Sequence, residues 1–517
     1  MSASREKKLR QDTGNYSPKA ARAQQEAAEY RRKAGIYTAI GAVVTVLVVA
    51  LLVWNSGLFQ RQKVAVTVGG TDYKVNELSY YYYLQSSRYL YSMYGMLDSS
   101  LSDEEQIYSE EDNQSFRDLF LNEATEALTR VTAFYDKAIA EGYTEQQVKE
   151  QVEQTIADWK ANATASGYSY ASFLKANFGK YMTTGDFRDI LTRAAVADAY
   201  YSDLATSFSY EDSDYQTYYE ENADSLDTFE YSQLYFLASY TEPVNEDGSV
   251  KELTEEEKAE LQSGAMAEAR EKAEQVLAAL ENGQSIADLV TEYKPTSSAD
   301  HTVSLGSDLA SSAFAPDLYG YEAGQSGLVE VADTGYYVLV LHARHRDETP
   351  TMDTRHILIR PETSVDSDGT TVPPTSGAWD EARQKAESIL AEYEAGPRTA
   401  ESFAALAEAH SEDSGSNTNG GLYEGVNQGN FVPEYDNWLF EEGRKEGDVA
   451  LLRHEAGEED SNPYWGYHIV YFSGENIPVW KQRADSTLRS DAITAATDEM
   501  IADYPSTLGD GAEYLGK

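Results

Sequence analysis

The sequence predicts an α+β chain with one N-terminal transmembrane helix, on three observations: an uncharged apolar run, a stretch of helical periodicity after it, and a β/α unit that occurs twice. A chain of 517 residues is longer than one core usually serves, so three or four folded units are expected. Apolar residues make up 41% of it and can supply those cores. With 88 acidic against 41 basic residues, the formal net charge is −47. Such a surface repels nucleic acid and anionic lipid, so no nucleic-acid partner is expected. Cysteine is absent, which excludes disulfides, thiolate metal sites, thiol catalysis and a lipidated-cysteine anchor.

The first element runs from Ala34 to Trp54 without a charge. About 20 apolar residues cross the ~30 Å hydrocarbon layer. Val, Leu and Ala cover every face of this run, which favours a membrane span over a soluble helix with one apolar stripe. Residues 1–33 carry nine Lys/Arg against four acids, and Arg31, Arg32 and Lys33 abut the run. A basic flank stays on the cytoplasmic side. Residues 1–33 are therefore expected as a cytoplasmic tail and 34–58 as a single-pass anchor in the cell membrane, with the bulk of the chain extracytoplasmic. The segment Trp54-Asn55-Ser56-Gly57-Leu58 offers no A-x-A-like cleavage site, which favours an uncleaved anchor.

Beyond the anchor, Val64 to Val68 alternates like a strand, Gly69-Gly70 turns it, and Tyr73 to Val75 returns as a hairpin. Phe116, Phe120, Ala124, Leu128, Val131 and Tyr135 recur at helical spacing, and Ser169 to Tyr201 reads as two or three shorter helices. Residues 59–227 are thus expected as a helical domain. The amphipathic segment Lys481 to Tyr504 has too little apolar surface to fold alone, so 476–517 is expected to complete that domain. Tyr80 to Tyr83, with Tyr89, Tyr91 and Tyr94, is either a sticky surface for unfolded chains or a helix core built with Tyr.

The repeat is the most informative feature. Its first copy contains Phe229 to Phe236, a helix through Ala273, Leu277 and Leu280, then Ser285 to Leu289, and last Gly335 to Val340. The second has Asp353 to Ile359, a helix with Ala382, Ala386, Ile389, Leu390 and Tyr393 on one face, Ser402 to Leu406, and Gly466 to Tyr471. The offsets are 123 (Gln233 to His356), 117 (Ser285 to Ser402) and 131 (Gly335 to Gly466), so loops differ while elements persist. Domains at 228–347 and 350–475 follow, with Asp347-Glu-Thr-Pro350 at the junction.

Within the second copy, five segments resemble, in order, those of parvulin-type peptidyl-prolyl isomerases. Thr354 to Ile359 is similar to the opening strand, His410 to Ser414 to the active-site loop, and Gly420 to Gly425 to the glycine turn. Gln428 to Tyr435 resembles the proline-pocket segment and Gly466 to Val470 the closing strand. The resemblance implies, for each copy, a small and mostly antiparallel sheet with surrounding helices. It implies that Phe431 and Tyr435 line the proline pocket with Tyr423 at its edge. It also implies that His356 and His468 lie close on adjacent central strands, with Asp413 facing the bond that rotates. Neither cofactor nor metal is implied.

The reaction suits these residue types. X-Pro rotation breaks no covalent bond, yet amide resonance must be lost, and the uncatalysed exchange takes on the order of tens to hundreds of seconds. An apolar pocket and a few polar groups that favour the twisted amide suffice. The family often has Leu, Met and Phe where this chain has Tyr423, Phe431 and Tyr435, so its pocket would be more aromatic. In the first copy Gln233 and Tyr337 stand at the positions of the two histidines, and Ala315-Pro316 is the only echo of the pocket, which makes it a degenerate unit.

Other chemistries lack local support. There is no H-E-x-x-H, no G-x-S-x-G and no glycine-rich phosphate loop, and Asp366-Ser-Asp368-Gly369 lacks the remaining ligand positions of a calcium loop. The layout resembles exported foldases of the SurA and PrsA type. That implies a membrane-anchored prolyl isomerase and chaperone whose partners are unfolded or proline-containing exported polypeptides. The alternative is a non-catalytic holdase or envelope-assembly scaffold.

Overall fold

The computed structural model describes residues 38–49, 57, 59–92, 97–98, 100–109, 111–366, 371–457 and 463–516. The tail expected at 1–33, and the anchor expected at 34–58 apart from 38–49 and 57, lie outside them. Residues 38–49 are helical, with Val43 and Val46 59% and 67% exposed. Among the described residues no helix is long and apolar enough to cross a membrane.

The chain divides into two compact units, one formed up to Phe208 together with Asp491 onward, the other by Ser209–Ser490. The first opens with strands β1 (Val64–Val68) and β2 (Thr71–Lys74), which pair antiparallel. Gly69 and Gly70 have φ of +55° and +84°, and positive φ at both positions is what a two-residue hairpin turn needs. Helix α1 (Val75–Ser92) carries the tyrosine segment inward: Tyr82 is fully buried and Tyr81 nearly so. Tyr80 packs on Phe178 with ring centroids 4.9 Å apart. The helix-core reading of this segment holds for these three residues.

Helices α2 (Phe116–Ala140), α3 (Lys149–Ala165), α4 (Tyr170–Phe178) and α5 (Thr184–Ser207) complete the bundle around Phe120, Leu128, Phe134, Ile156, Leu174, Met182 and Phe187. Each such side chain contributes roughly 1.5–3 kcal/mol by burial. At the head of α2, Ser115 and Asp118 cap each other's backbone N–H groups. The chain's end returns to this unit. Arg117 donates to the carbonyls of Leu515 and Ala512 at 2.7 and 2.8 Å, and a short strand at Ser506–Leu508 pairs with β1.

The second unit contains α6 (Asp212–Leu226) and two four-stranded antiparallel sheets. The first sheet consists of β3 (Thr228–Leu237), β4 (Ser297–Leu305), β5 (Ser326–Val331) and β6 (Gly335–His345) in the order β4-β3-β6-β5. The second consists of β7 (Pro350–Ile359), β8 (Leu422–Val426), β9 (Val449–Glu455) and β10 (Trp465–Pro478) in the order β8-β7-β10-β9. The two sheets share one topology and one register. Gln233 faces Leu339 as His356 faces Val470, and Tyr235 faces Tyr337 as Leu358 faces His468. Each closing strand also bulges at the same step, passing over His342 in β6 and Ser473 in β10.

The longer helices cover one face of each sheet, and short helices lie on the other. Long helix α7 (Glu255–Glu281) and short α8 (Ile286–Tyr293) bring Ala269, Ala273, Val276 and Leu289 against Leu234, Phe236 and Val338. In the second sheet α9 (Ser376–Ala395) and α10 (Ala400–His410) bring Ala382, Ala386, Ile389, Tyr393 and Phe403 against Ile357, Ile359, Ile469 and Tyr471. The division at residues 208 and 491 differs from the expected boundaries at 227 and 476. Tyr215 and Leu226 of α6 form a small core with Trp480 and Ala484 of the helix Val479–Ala502, which draws α6 and residues 479–490 into the second unit.

Candidate active site

On the face of the second sheet opposite α9 and α10, His356 of β7 and His468 of β10 are diagonal neighbours and both are buried. Their Nδ1 atoms face each other at 3.2 Å and so share one proton between them. His356 Nε2 lies 2.8 Å from Asp413 Oδ2. Asp413 is on the loop that follows α10, and Ser411 stitches that loop to β7 by accepting the Leu358 N–H at 3.1 Å. Two hydroxyls, Ser416 at 2.5 Å and Tyr423 at 2.9 Å, donate to the same Asp413 oxygen. Among the described residues the other oxygen takes only the Gly415 N–H, at 3.4 Å.

The electrostatics follow from these contacts. The His356 hydrogen bond, reinforced by Ser416 and Tyr423, outweighs partial burial and holds the Asp413 carboxyl well below the usual carboxylate range. As an ionised acceptor, Asp413 requires all three partners to donate. Burial, together with neighbouring His356 and His454, pushes His468 down to about 3, so it is neutral at ordinary pH. Burial and the bond to Asp413 push Tyr423 up.

The glycine turn explains how the loop and strand meet. Gly420 and Gly421 have φ of +71° and +73°, and a Cβ on Gly421 would lie 2.3 Å from the His356 carbonyl oxygen. The Gly421 carbonyl in turn accepts the His356 N–H at 2.9 Å. Only glycine permits this approach.

Beside the histidines lie three aromatic rings. Phe431 stacks on Tyr435 with centroids 4.3 Å apart and planes 6° from parallel, and Tyr423 stands edge-on to Phe431 at 5.3 Å. Tyr435 is fully buried, its hydroxyl 2.8 Å from Thr354 Oγ1, which itself donates to the Tyr471 carbonyl. The six residues singled out in the sequence thus stand together. Tyr435, expected beside Phe431 in the pocket lining, lies beneath it as a floor, while Phe431 and Tyr423 remain half-exposed.

Sequence reasoning missed Ser411, Ser416, Thr354, Tyr464 and His454. Tyr464 OH is 3.4 Å from His468 Nε2, and His454 packs on Tyr464 at 4.5 Å. Thr354 stands two residues before His356 on one strand, so a strict period-two reading would have put it on the same face. The small hydroxyls carried no comparable signal. In the first sheet the equivalent ground holds Tyr337 tilted against Tyr235 with centroids 4.4 Å apart, and Gln233 Oε1, buried with no hydrogen-bond partner among the described residues.

Residues 336–459 match the PPIC-type PPIASE domain family, so the chain carries a parvulin-type domain. That match starts inside β6 and stops before β10. The sheet itself extends the unit to β10 and His468. Over a longer stretch the chain is similar to a SurA chaperone. It is 33% identical over 213 residues to the chaperone SurA of Alkalilimnicola ehrlichii, covering 39% of this chain and 43% of that protein. It therefore spans less than half the length of this curated relative. Among solved structures, PrsA of Bacillus anthracis is 18% identical, with 30% of this chain and 58% of that one covered at a TM-score of 0.17. PrsA of Streptococcus pneumoniae is 11% identical, with 74% and 81% covered at 0.21.

Proposed function

We propose that the chain is a membrane-anchored, extracytoplasmic peptidyl-prolyl cis-trans isomerase and chaperone that acts on exported polypeptides, with its activity confined to residues 350–475. The observation that carries this reading is the ionised Asp413 carboxylate, fixed by His356, Ser416 and Tyr423 next to the half-exposed rings of Phe431 and Tyr423. A proline ring can lie against Phe431 while the preceding carbonyl approaches the less occupied oxygen of Asp413. The barrier to amide rotation is about 18–20 kcal/mol, arising from lost resonance. A fixed negative charge disfavours the planar carbonyl on one side and leaves the twisted amide better accommodated, and each ~1.4 kcal/mol of that difference is tenfold in rate. No nucleophile is required, and His356 and His468 serve to hold the carboxylate.

The loss of both histidine positions in 228–347 supports a degenerate parvulin-like unit there, a platform for peptide or a spacer. The basic tail and the uncharged run at 34–54 support the anchor, and the exposed valines of residues 38–49 are consistent with a lipid-facing helix. The test uses the full chain and proline-containing tetrapeptides followed by NMR exchange. Cis-trans exchange should accelerate, and Asp413→Ala or His356→Ala should reduce the acceleration at least tenfold. No acceleration by the natural chain, combined with retained suppression of client aggregation, would sink the isomerase reading in favour of a holdase.

A further inference from the structure

The first sheet, which lacks the site of the second, has a cluster of its own. Three of the chain's seven histidines are on strands of this sheet, and two of them converge with an aspartate beside Ser232 of β3. Both strands that flank β3 bulge at this point. In β4, Asp300 and His301 are the two residues set against Ser232 between the pairs Gln233–Ala299 and Tyr231–Thr302. In β6, His342 is the extra residue between the pairs Tyr231–Leu341 and Glu230–Ala343. Bulges re-aim side chains. Here two of them bring His301 over His342, rings stacked with centroids 4.2 Å apart, and His301 is held at φ +47°, a conformation uncommon for a residue with a Cβ.

Ser232 organises the group. Its buried hydroxyl lies 2.7 Å from Asp300 Oδ1 and 2.7 Å from His342 Nε2, and it accepts the His301 N–H at 3.1 Å. A carboxylate only accepts, so the single Ser232 proton goes to Asp300. His342 must then donate from Nε2, which leaves its Nδ1 unprotonated. A ligating imidazole has this form, its other nitrogen oriented by a hydrogen bond to a neighbouring side chain. One potential ligand atom from each of Asp300, His301 and His342 lies within 4.8 Å of the others.

We propose that Asp300, His301 and His342 bind a divalent transition-metal ion of the zinc class, tying β4 to β6 across Ser232. Two imidazoles and one carboxylate suit zinc better than magnesium or calcium, which prefer all-oxygen shells. Metal–nitrogen bonds of about 2.0–2.1 Å require the ligand atoms to close together. Asp300 and His301 are exposed, so they can move, His301 turning out of its stack, while His342 stays fixed by Ser232. The inference departs from the sequence's expectation of no metal, and it stands independently of the isomerase reading.

Equilibrium dialysis and calorimetry of the full chain with zinc chloride, in a magnesium background that occupies weak oxygen sites, test it. One zinc per chain is expected at micromolar affinity, weakened at least tenfold by His301→Ala and by Asp300→Asn. Both positions are exposed on an edge strand, and an unchanged urea midpoint without metal verifies that the variants fold. His356→Ala should bind zinc as the natural chain does, and proline-peptide exchange should be unaltered in Asp300→Asn. Cobalt(II) substituted at the site should show visible absorption that is lost in His301→Ala. Absence of binding at 100 times micromolar zinc, equal affinity in all variants, or loss of binding only in His356→Ala would each overturn the proposal.

Discussion

Replacing His468 by glutamine should flatten the pH dependence of stability in the unit that holds the candidate site. Burial and the adjoining histidines lower the His468 pKa to about 3 in the folded chain, against about 6.5 in an unfolded one. Between those values the unfolded chain binds a proton here that the folded chain does not. Stability is therefore complete above about pH 6.5 and falls as pH falls. From pH 7.5 to pH 5 the linkage amounts to a loss of ~2 kcal/mol. Asp413 acts with the same sign in a lower window. Its folded pKa is depressed, so its contribution persists above the unfolded carboxylate value and is lost only below about pH 4. The interval from pH 7.5 to 5 thus isolates His468 from Asp413. Urea denaturation of the full chain, followed by tryptophan fluorescence, reads it, because Trp379, Trp438, Trp465 and Trp480 lie in this unit. The natural chain should lose ~2 kcal/mol more than His468→Gln over the interval, whatever constant cost the substitution carries. Equal losses in the two chains would refute the reasoning that His468 is buried neutral.

Two further substitutions separate the parts of the site. Gly421→Ala forces a Cβ to 2.3 Å from the His356 carbonyl oxygen at a left-handed φ, so it should destabilise by roughly 1–3 kcal/mol and also lower peptide exchange; an unaltered urea midpoint would contradict the close approach. Tyr435→Phe removes one hydrogen bond to Thr354 and should cost about 1 kcal/mol by the same assay. Because the ring stays under Phe431, exchange should change less than twofold, and a larger loss would mean that the Tyr435 hydroxyl reaches the substrate.

The sheets were legible because strand spacing survives where side chains do not. Equal offsets along β3 and β7, and along β6 and β10, already encode a shared register, and the paired residues reproduce it down to the bulge. The His356, Asp413 and His468 group was legible only through the order of five motifs, since each residue alone is an ordinary strand or loop residue. Ser416 and Ser411 were not. A buried hydroxyl that fixes a carboxylate has the same one-letter signature as a solvated one. The strand at Ser506–Leu508 was missed because it is three residues long and exposed throughout, leaving no alternation to read. The division at residue 208 has no local signal in the sequence, because α6 is held by Trp480 and Ala484, more than 250 residues away.

The two sheets also show which feature is architectural and which is chemical. The bulge on the closing strand is present in both, at His342 in one and Ser473 in the other, so it belongs to the scaffold. In the second sheet Ser473 Oγ is buried without a hydrogen-bond partner among the described residues, and the chemistry lies instead on His356 and His468. In the first sheet Gln233 and Tyr337 replace that pair, while the bulge carries a histidine and a second bulge opposite supplies His301 and Asp300. A bulge frees one residue from the ladder at little cost to the rest of the sheet. One backbone can therefore carry its polar residues at different positions, because the positions that pack against α7 to α10 are untouched in either sheet.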